Sequence, residues 1–411
     1  MRIARADAFP LRIPGRPEEF AGGAGVGRPA DGAAAPSGAA RPRYHRIGAY
    51  PTVFSDDVET CLVRIATDDG LHGWGEAQAP VVPEVVGVLV RRLLGPLLVG
   101  RDPFDLDVLW HELFDSTRVR GHGAGFLLQA ISAIDIALWD LVGKATGRPI
   151  HQLLGGKHRD RLEVYLSGLA ASTPEERVAQ ARAAAERGFR GIKLFLGHDP
   201  STDLETVRSV QRAAGPGVKV MADGHWMYDR RTALQLGRAF EREGVHWLEA
   251  PLDPADRRGH AELARALDLP IALGEVEQTR SQFLDLLEEG AVDVVQPDVG
   301  RAGGLSESRR IAALAETYGV PCAPHHGVGL GPLIAAGVQL AAAIPNFVLL
   351  EYQAMMHRLT ASLVDEPPRL EDGFLLFPDR PGLGLDVRLD AIAPYVDWGS
   401  DDAPAGRVGA A

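Results

Sequence analysis

The sequence predicts an α/β fold in which a closed parallel barrel follows a smaller α+β domain. After residue 161, short apolar segments recur with a helical pattern between each pair, which is typical of a parallel barrel. The chain has 411 residues, more than the about 250 that such a barrel needs. Strand and helix patterns of a different order fill the N-terminal part, which therefore forms a separate domain.

The N-terminal domain combines strands and helices. Residues 3–11 alternate apolar and polar side chains, which indicates a strand, and ETCLVRIATDDGLHGWGEA indicates a hairpin that turns at Asp69-Gly70. Helical periodicity follows over 83–114 and 125–146, and the second pattern stops at a glycine. We therefore place an α+β domain at residues 1–125.

A stretch rich in Gly, Ala and Pro interrupts this domain between about residues 15 and 50. It has too few large apolar residues for a core of its own, so it is either a linker or a mobile lid over an active site. Basic residues beside it and in the following helical region are candidate ligand contacts, or else a solvated surface. These are Arg41, Arg43, His45 and Arg46, and then Arg118, Arg120 and His122.

The barrel is predicted for residues 126–360. Its eight strands start near residues 162, 191, 218, 245, 271, 292, 320 and 347. An open doubly wound sheet is the alternative, but no glycine-rich phosphate motif follows an early strand. The last segment, 361–411, is rich in Pro, Gly and Asp, and we expect it to pack back on the first domain.

Composition excludes several classes of protein. The formal charge of −12 argues against a nucleic-acid partner. The two cysteines cannot form a disulfide framework or a thiolate zinc site. The N-terminus lacks the apolar core of a signal peptide, and no uncharged apolar run reaches the about 18 residues of a membrane span. We therefore expect a cytoplasmic enzyme that does not bind a membrane.

Ionisable residues lie at the C-terminal ends of the predicted barrel strands, from the second strand to the eighth. The active site of a barrel forms at these ends. In chain order the residues are Lys193, Asp223 with His225, Glu249, Glu275, Asp298, His325 and Glu351.

Three of these residues predict a metal site. Asp223, Glu249 and Glu275 are separated by 26 residues each, so they end adjacent strands and converge. Unpaired, they would repel one another, and a hard divalent cation relieves that repulsion. An all-oxygen ligand set favours Mg²⁺ over zinc. Helix caps or partners of arginine are the alternative roles for such carboxylates.

Asp298 and His325 end the next two strands and predict a catalytic pair. A carboxylate against one ring nitrogen fixes the tautomer and raises the basicity of the other nitrogen. The neighbouring His326 is a second candidate, although the alternation of side chains along a strand turns it away from the barrel axis.

Several motifs together resemble the mandelate racemase subgroup of the enolase superfamily. They are the AISAIDIALWDL helix with QLLGG after it, the Asp/Glu/Glu triplet, QPDVGRAGG, PHHG and AAAIPNFVLLE. The resemblance implies a (β/α)7β TIM-type barrel with an N-terminal α+β capping domain that the C-terminal segment completes. It implies Mg²⁺ on Asp223, Glu249 and Glu275, a catalytic dyad of Asp298 and His325, and a homo-oligomer. It also implies that Glu351 hydrogen-bonds a substrate carboxylate.

The chain departs from the resembled pattern in two places. Family members with two opposed bases carry Lys-x-Lys on the second strand, whereas this chain has Lys193-Leu194-Phe195. Phe195 cannot carry a proton, which disfavours racemisation, and Lys193 is left to neutralise a carboxylate. His225, two residues after Asp223, looks like the general acid of sugar-acid dehydratases in the subgroup. A hydrogen-bond partner that orients Asp223 is its alternative role.

These residues predict a Mg²⁺-dependent dehydratase of a sugar acid of the aldonate type, a small carboxylate substrate. His325 abstracts the C2 proton and His225 protonates the C3 hydroxyl as it leaves, which gives a 2-keto-3-deoxy acid. Because the only predicted base lies on the side of the seventh strand, we expect a substrate with R configuration at C2. An epimerase or cycloisomerase on the same scaffold and a non-catalytic sugar-acid-binding homologue are the alternatives.

Overall fold

The fold is described from a computed structural model, which covers residues 1–15, 43–46, 50, 52–169, 171, 173–377 and 379–399. Within these residues the chain forms an α+β domain and an α/β barrel, as the sequence predicts. Most of the segment predicted as a linker or lid, about 15–50, lies outside the described residues, and so does Arg41.

The first domain, called the capping domain below, contains a three-stranded antiparallel sheet in the order β1-β4-β5. Phe9 pairs with Leu62, and Cys61 pairs with Ala77, so the predicted hairpin is present. A short separate hairpin joins β2 to β3. The strands are β1 (Ile3–Ile13), β2 (Tyr44–His45), β3 (Phe54–Ser55), β4 (Val58–Thr67) and β5 (His72–Ala77).

Helices cover one face of this sheet. They are α1 (Pro83–Leu89), a π-helical turn (Val90–Leu94), α2 (Gly95–Leu98), α3 (Leu106–Arg118) and α4 (Phe126–Thr146). Helix α4 packs so closely on β5 that a Cβ atom at Gly75 would overlap the carbonyl oxygen of Ala133. It ends at Gly147, whose φ of 66° is the left-handed conformation that favours glycine.

Helix α4 belongs to the core of the capping domain. Its residues share one apolar cluster with Cys61 and Val63 of the sheet. By length and composition alone the helix could cross a membrane, but 83% of its most apolar window is buried in the protein. Because α4 covers the sheet of the capping domain, we group this helix with that domain, although it begins after residue 125.

The barrel strands run parallel in a closed ring. They are β6 (Leu162–Ser167), β7 (Gly191–Phe195), β8 (Lys219–Asp223), β9 (Leu248–Glu249), β10 (Ile271–Leu273), β11 (Val294–Val295) and β12 (Leu350–Tyr352). Strand β12 pairs with β6. The strand predicted near residue 320 is reduced to single bridges, in which Cys322 pairs with Val295 on one side and Phe347 on the other. These bridges close the ring between β11 and β12.

Helices surround the ring. They are α5 (Ile150–Leu153), α6 (Pro174–Glu186), α7 (Pro200–Ala214), α8 (Arg230–Glu243), α9 (Arg257–Ala266), α10 (Thr279–Glu289), α11 (Gly304–Thr317), α12 (Gly331–Ala343) and α13 (Ala354–Leu363). Asp199, Asp229 and Asp256 accept hydrogen bonds from the first free N–H groups of α7, α8 and α9. Such caps explain why these helices begin where the strand-end loops stop.

The inside of the ring is filled rather than hollow. Seven buried side chains form its inner cluster: Tyr165, Met221, Trp247, Ala272, Val294, Ala323 and Leu349. This apolar layer lies below the strand ends and supports the polar residues above it.

The C-terminal segment divides between the two domains. Its elements are β13 (Val364–Asp365), β14 (Arg369–Glu371), β15 (Phe374–Leu376), β16 (Asp386–Val387), α14 (Leu389–Ile392) and a 3₁₀ turn (Ala393–Tyr395). Strand β15 pairs with β6 of the barrel. Several parts of the segment reach the capping domain. Leu383 N–H donates to Asp140 Oδ1 of α4 (2.8 Å), and Asp386 pairs with Lys144 of the same helix. Asp397 N–H donates to Pro10 O (2.9 Å), and Trp398 joins the core of this domain. The segment, predicted to pack back on the first domain, therefore contacts both that domain and the barrel.

Candidate active site

Three carboxylates lie together at the ends of adjacent barrel strands. Asp223 ends β8, Glu249 ends β9, and Glu275 follows β10. One oxygen of each lies within 4.8 Å of the others, and the first two residues are buried. We call this group the carboxylate trio. Its oxygens are close enough to share one small, hard cation.

Lys193 of β7 lies between the carboxylate trio and Glu351. Its Nζ atom is 2.5 Å from Glu249 Oε1, 3.1 Å from Glu351 Oε1 and 3.4 Å from Asp223 Oδ2. Burial lowers the pKa of this amine, but the surrounding carboxylates outweigh burial and hold the pKa well above its ordinary value. Lys193 is therefore a buried cation. Its ammonium group already neutralises carboxylates of the protein itself.

The second oxygen of Glu249 is held by neutral donors. Trp247 Nε1 donates to Glu249 Oε2 (3.0 Å), and so does Gln296 Nε2 (2.8 Å). Burial raises the pKa of Glu249 to about 7, against the opposing effect of Lys193, and repulsion from the neighbouring carboxylates adds to the rise. A nearby cation stabilises the ionised form of a carboxylate whose pKa is raised by burial and by neighbouring negative charge.

Negative charge exceeds positive charge at this point. The carboxylate trio and Glu351 are four carboxyl groups, whereas Lys193 is the one lysine or arginine in ion-pair contact with them among the described residues. The Oδ2 atom of Asp223 is buried and accepts no hydrogen bond from the described residues. Excess charge, an oxygen without a donor and an all-oxygen ligand set all fit a divalent cation such as Mg²⁺.

His325 and Asp298 form the predicted pair. The two residues are joined by a parallel bridge, and His325 Nδ1 lies 2.7 Å from Asp298 Oδ2. The N–H of Gly300 donates to the other carboxylate oxygen of Asp298 (2.8 Å). Since a carboxylate only accepts, Nδ1 donates its proton to Asp298, and Nε2 is the nitrogen that gains or loses the second proton. When His325 is neutral, its lone pair is therefore on Nε2, as a general base requires.

The free nitrogen of His325 points to the carboxylates. Its Nε2 atom is 3.3 Å from Glu275 Oε2 and 3.7 Å from Glu351 Oε2. Burial lowers the pKa of His325, but Glu351, Glu275 and Asp298 together raise it to about 9. The position and the pKa shift make His325 a proton acceptor that faces the carboxylate trio.

Glu351 is held as an acceptor. Ser167 Oγ donates to its Oε1 (2.5 Å), and the peptide N–H of His326 donates to its Oε2 (3.0 Å). Burial raises its pKa, but Lys193, His325 and these donors lower it to about 2. Ionised Glu351 cannot donate, so the predicted hydrogen bond to a substrate carboxylate requires it to gain a proton when substrate binds. The His326 ring, as predicted, faces away, towards His357.

His225 lies on the other side of the carboxylate trio. Its peptide N–H donates to Asp223 Oδ1 (2.9 Å), and its Nε2 is 3.9 Å from Asp223 Oδ2. Its φ of 48° is unusual for a residue with a side chain. The ring of Phe195 lies 4.8 Å away, at the place where the resembled pattern has a second lysine.

The three predicted substrate-binding residues lie elsewhere. Arg43 Nε donates to buried Glu59 (2.9 Å), His45 faces Asp56, and His122 is exposed. In the part of the chain that the structure describes, no contact joins these three residues to the carboxylate trio or to His325. A guanidinium paired with a buried carboxylate has a structural role, so a role of Arg43 in binding substrate stays a prediction.

Two residues missed from the sequence link the domains at the site. Gln78 follows β5 of the capping domain, and its N–H donates to Gly300 O (3.1 Å) in the loop after Asp298. Arg301 donates from Nη1 to Glu275 O (2.7 Å) and from Nη2 to Gln78 Oε1. Neither lies at the end of a barrel strand, so the rule for barrel strand ends does not find them. Ser167 ends β6, and the same rule could have found it.

Two family models match the sequence and together cover most of the chain. The model for the Mandelate racemase / muconate lactonizing enzyme N-terminal domain matches residues 50–155, and the Enolase C-terminal domain-like model matches residues 176–391. The chain belongs to the mandelate racemase subgroup of the enolase superfamily. The predicted resemblance and fold class are thereby confirmed.

Relatives within this superfamily carry different activities. The chain is 34% identical to D-galactarolactone cycloisomerase of Agrobacterium fabrum, over 81% of this chain and 90% of that one. It is 33% identical to arabinonate dehydratase of Saccharolobus solfataricus, over 82% of this chain and 91% of that one. Sugar acids and their lactones thus recur among these relatives, but the reaction differs.

Solved structures of the superfamily share the whole architecture. A member of the enolase superfamily from Agrobacterium tumefaciens superposes with a TM-score of 0.87 at 29% identity, over 95% of this chain and 98% of that one. A racemase from Streptomyces coelicolor with bound magnesium has a TM-score of 0.81 at 26% identity, over 96% and 100%. Magnesium is therefore bound within the superfamily, and this chain has an acidic cluster that fits it.

Proposed function

We propose that this chain is a Mg²⁺-dependent dehydratase of a sugar acid of the aldonate type. The observation that carries the proposal is the pair of histidines that contact different members of the carboxylate trio. His325 Nε2 is 3.3 Å from Glu275, and His225 Nε2 is 3.9 Å from Asp223. A substrate bound at the carboxylate trio would therefore have one histidine near the C2–H bond and the other near the C3–O bond.

Dehydration needs a base at C2 and an acid at C3. His325 accepts the C2 proton on Nε2, because Asp298 keeps the other ring proton on Nδ1. The electron pair of the C–H bond forms the ene-diolate, and the C3–O bond then breaks. His225 gives its proton to the departing oxygen, which leaves as water. The enol product takes up a proton at C3 and loses the proton of its C2 hydroxyl, which gives a 2-keto-3-deoxy acid.

Asp223, Glu249 and Glu275 would hold the magnesium ion. When bound, the ion supplies Lewis-acid stabilisation of the negative charge that develops on the substrate carboxylate. Lys193 keeps Glu249 and Glu351 in place and lowers the negative potential of the site for an anionic substrate.

Phe195 supports elimination over racemisation. A racemase needs a proton carrier on each face of the α-carbon, and the phenyl ring of Phe195 lies beside His225 where a second base would stand. Proton removal from the His325 side alone selects one configuration at C2. We expect turnover of 2R substrates, and turnover of 2S substrates alone would contradict the assignment of the base.

The test is a screen of a stereochemically complete library of aldonates and aldarates in D₂O with Mg²⁺. Mass spectrometry and a 2-keto acid assay distinguish the outcomes. Loss of water with formation of a 2-keto acid supports the dehydratase. Deuterium at C2 with the formula otherwise retained indicates an epimerase. No reaction, together with substrate binding, favours a non-catalytic sugar-acid-binding protein.

A cycloisomerase is the second candidate. D-galactarolactone cycloisomerase matches this chain over most of its length, and isomerisation by lactone opening can use the same base and acid. Adding sugar-acid lactones to the library separates the two reactions, because a cycloisomerase opens a lactone to an acid of the same formula, whereas a dehydratase removes water from an open aldonate.

We also propose that the protein assembles into a homo-oligomer, as its family resemblance implies. Light scattering on the purified protein measures the number of subunits directly.

A further inference from the structure

The ring of His225 is held by aromatic side chains. The Tyr50 ring meets it edge to face, with the centroids 5.7 Å apart and the planes at 86°. Phe195 contacts the ring from β7, with the centroids 4.8 Å apart. Contacts of this geometry are favourable because the positive edge of one ring meets the negative face of the other. His225 is therefore enclosed by one residue from each domain.

Polar contacts alone do not fix this ring. Its Nδ1 atom is buried and has no hydrogen-bond partner among the described residues. Its Nε2 atom lies 3.9 Å from Asp223 Oδ2, which is beyond hydrogen-bond distance. The orientation of the ring thus depends on its backbone conformation and on the neighbouring aromatic rings.

Tyr50 is itself fixed between the domains. Its hydroxyl donates to the carbonyl oxygen of Leu196, directly after β7, at 2.9 Å. Its ring meets that of Phe54 in β3 edge to face, with centroids 6.4 Å apart. Only 5% of Tyr50 is exposed. Because Tyr50 contacts both domains, the placement of the capping domain affects the position of its ring beside His225.

We propose that Tyr50 is a positioning residue that orients His225 for proton donation, so that the acid side of the site is complete only with the capping domain in place. This inference rests on the proposed function, in which His225 protonates the leaving hydroxyl. Tyr50 acts through His225 and has no direct contact with His325. It therefore affects elimination and leaves C2 proton removal intact.

The test compares Tyr50→Leu with the matched variant Tyr50→Phe. Leucine removes the ring, whereas phenylalanine keeps the ring and removes only the hydroxyl. We expect Tyr50→Leu to slow dehydration by about 10- to 100-fold, as loss of an orienting partner does elsewhere. Exchange of the C2 proton in D₂O should change by no more than about 2-fold, and Tyr50→Phe should retain dehydration within about 5-fold.

A second measurement does not depend on turnover. Diethyl pyrocarbonate modifies accessible histidines, and peptide mass spectrometry reports the rate at His225 against that at exposed His122. Loss of the Tyr50 ring should accelerate modification of His225 by about 3-fold or more, and Tyr50→Phe should not.

The outcomes separate the two proposals. If the wild-type protein makes no 2-keto acid from any substrate, the proposed function fails, and the pyrocarbonate rates still test whether Tyr50 covers His225. If the wild type dehydrates but Tyr50→Leu slows exchange and dehydration equally, the positioning role is wrong. An unchanged rate of His225 modification in Tyr50→Leu also overturns it.

Discussion

The two histidines that face the carboxylate trio are held by different kinds of interaction. His325 is fixed by charge, through a 2.7 Å contact with Asp298 and the field of nearby carboxylates. His225 is fixed mainly by shape, between the rings of Tyr50 and Phe195. A base needs a set tautomer and a raised pKa, and buried carboxylates supply both. An acid must direct its proton at the leaving group, and the rings packed against His225 hold its orientation.

The largest effect should come from the charged side of this comparison. Replacing His325 by Asn removes the proton acceptor, so both C2 exchange and dehydration should fall by about 10³-fold, within the range for a lost general base. Proton exchange measured by NMR and 2-keto acid formation are the two readouts. An unchanged melting temperature is the control for folding. Normal exchange in this variant would move the base to another residue.

Loss of a metal ligand should have a comparable effect by another route. Glu249→Gln removes one anionic oxygen donor from the carboxylate trio, so Mg²⁺ binding measured by calorimetry should weaken by about 100-fold or more. Activity should recover in part at high Mg²⁺ concentration. The matched control is Glu262→Gln, an exposed residue on α9 that pairs with Arg230. Equal Mg²⁺ affinity in both variants would argue against a cation at the carboxylate trio.

The aromatic side should give a smaller and more selective effect. His225→Asn removes the acid but leaves the His325–Asp298 pair intact, so dehydration should fall by about 10²-fold while C2 exchange continues. The ratio of the two rates in one D₂O reaction measures this selectivity. If both rates fall together, His225 acts by orienting Asp223 instead of donating a proton.

The smallest of these effects should be a pH shift in Asp298→Asn. His325 must be neutral to accept a proton, so kcat/KM rises as pH rises through its pKa and is low in acid. The pKa of His325 is raised to about 9 by Glu351, Glu275 and Asp298 against burial, and a bound cation opposes the first two. Removing the charge of Asp298 lowers this pKa, so the rising limb should move to lower pH.

The same variant should lose about 10- to 100-fold in the plateau rate, because the tautomer of His325 is no longer fixed. The pH profile of kcat/KM measures both changes. A profile that keeps its midpoint would show that Asp298 does not act through His325.

Residues at strand ends could be predicted, because the barrel places them by its regular repeat. Asp223, Glu249 and Glu275 recur at equal spacing, and the structure brings them together. Asp298 and His325 follow the same rule. The periodic apolar pattern predicted the barrel for the same reason, since each strand and helix repeats one local design.

Contacts between distant segments could not be predicted in this way. The hydroxyl of Tyr50 reaches Leu196, 146 residues away, and no local pattern encodes that distance. The charge of Arg43 makes it a candidate substrate contact in the sequence, but only the structure shows that its Nε atom lies 2.9 Å from buried Glu59. A sequence shows which side chains are charged, whereas the fold decides which of them are already paired.

Gln78 has a consequence for how this chain can be altered. This residue of the capping domain binds the loop after Asp298 and, through Arg301, the backbone of a member of the carboxylate trio. A graft that replaces the capping domain to change substrate preference therefore also removes a brace of the reaction centre. Transplants that preserve the amide at position 78 should keep the proton-abstracting half of the enzyme working, even where new loops recognise a different molecule.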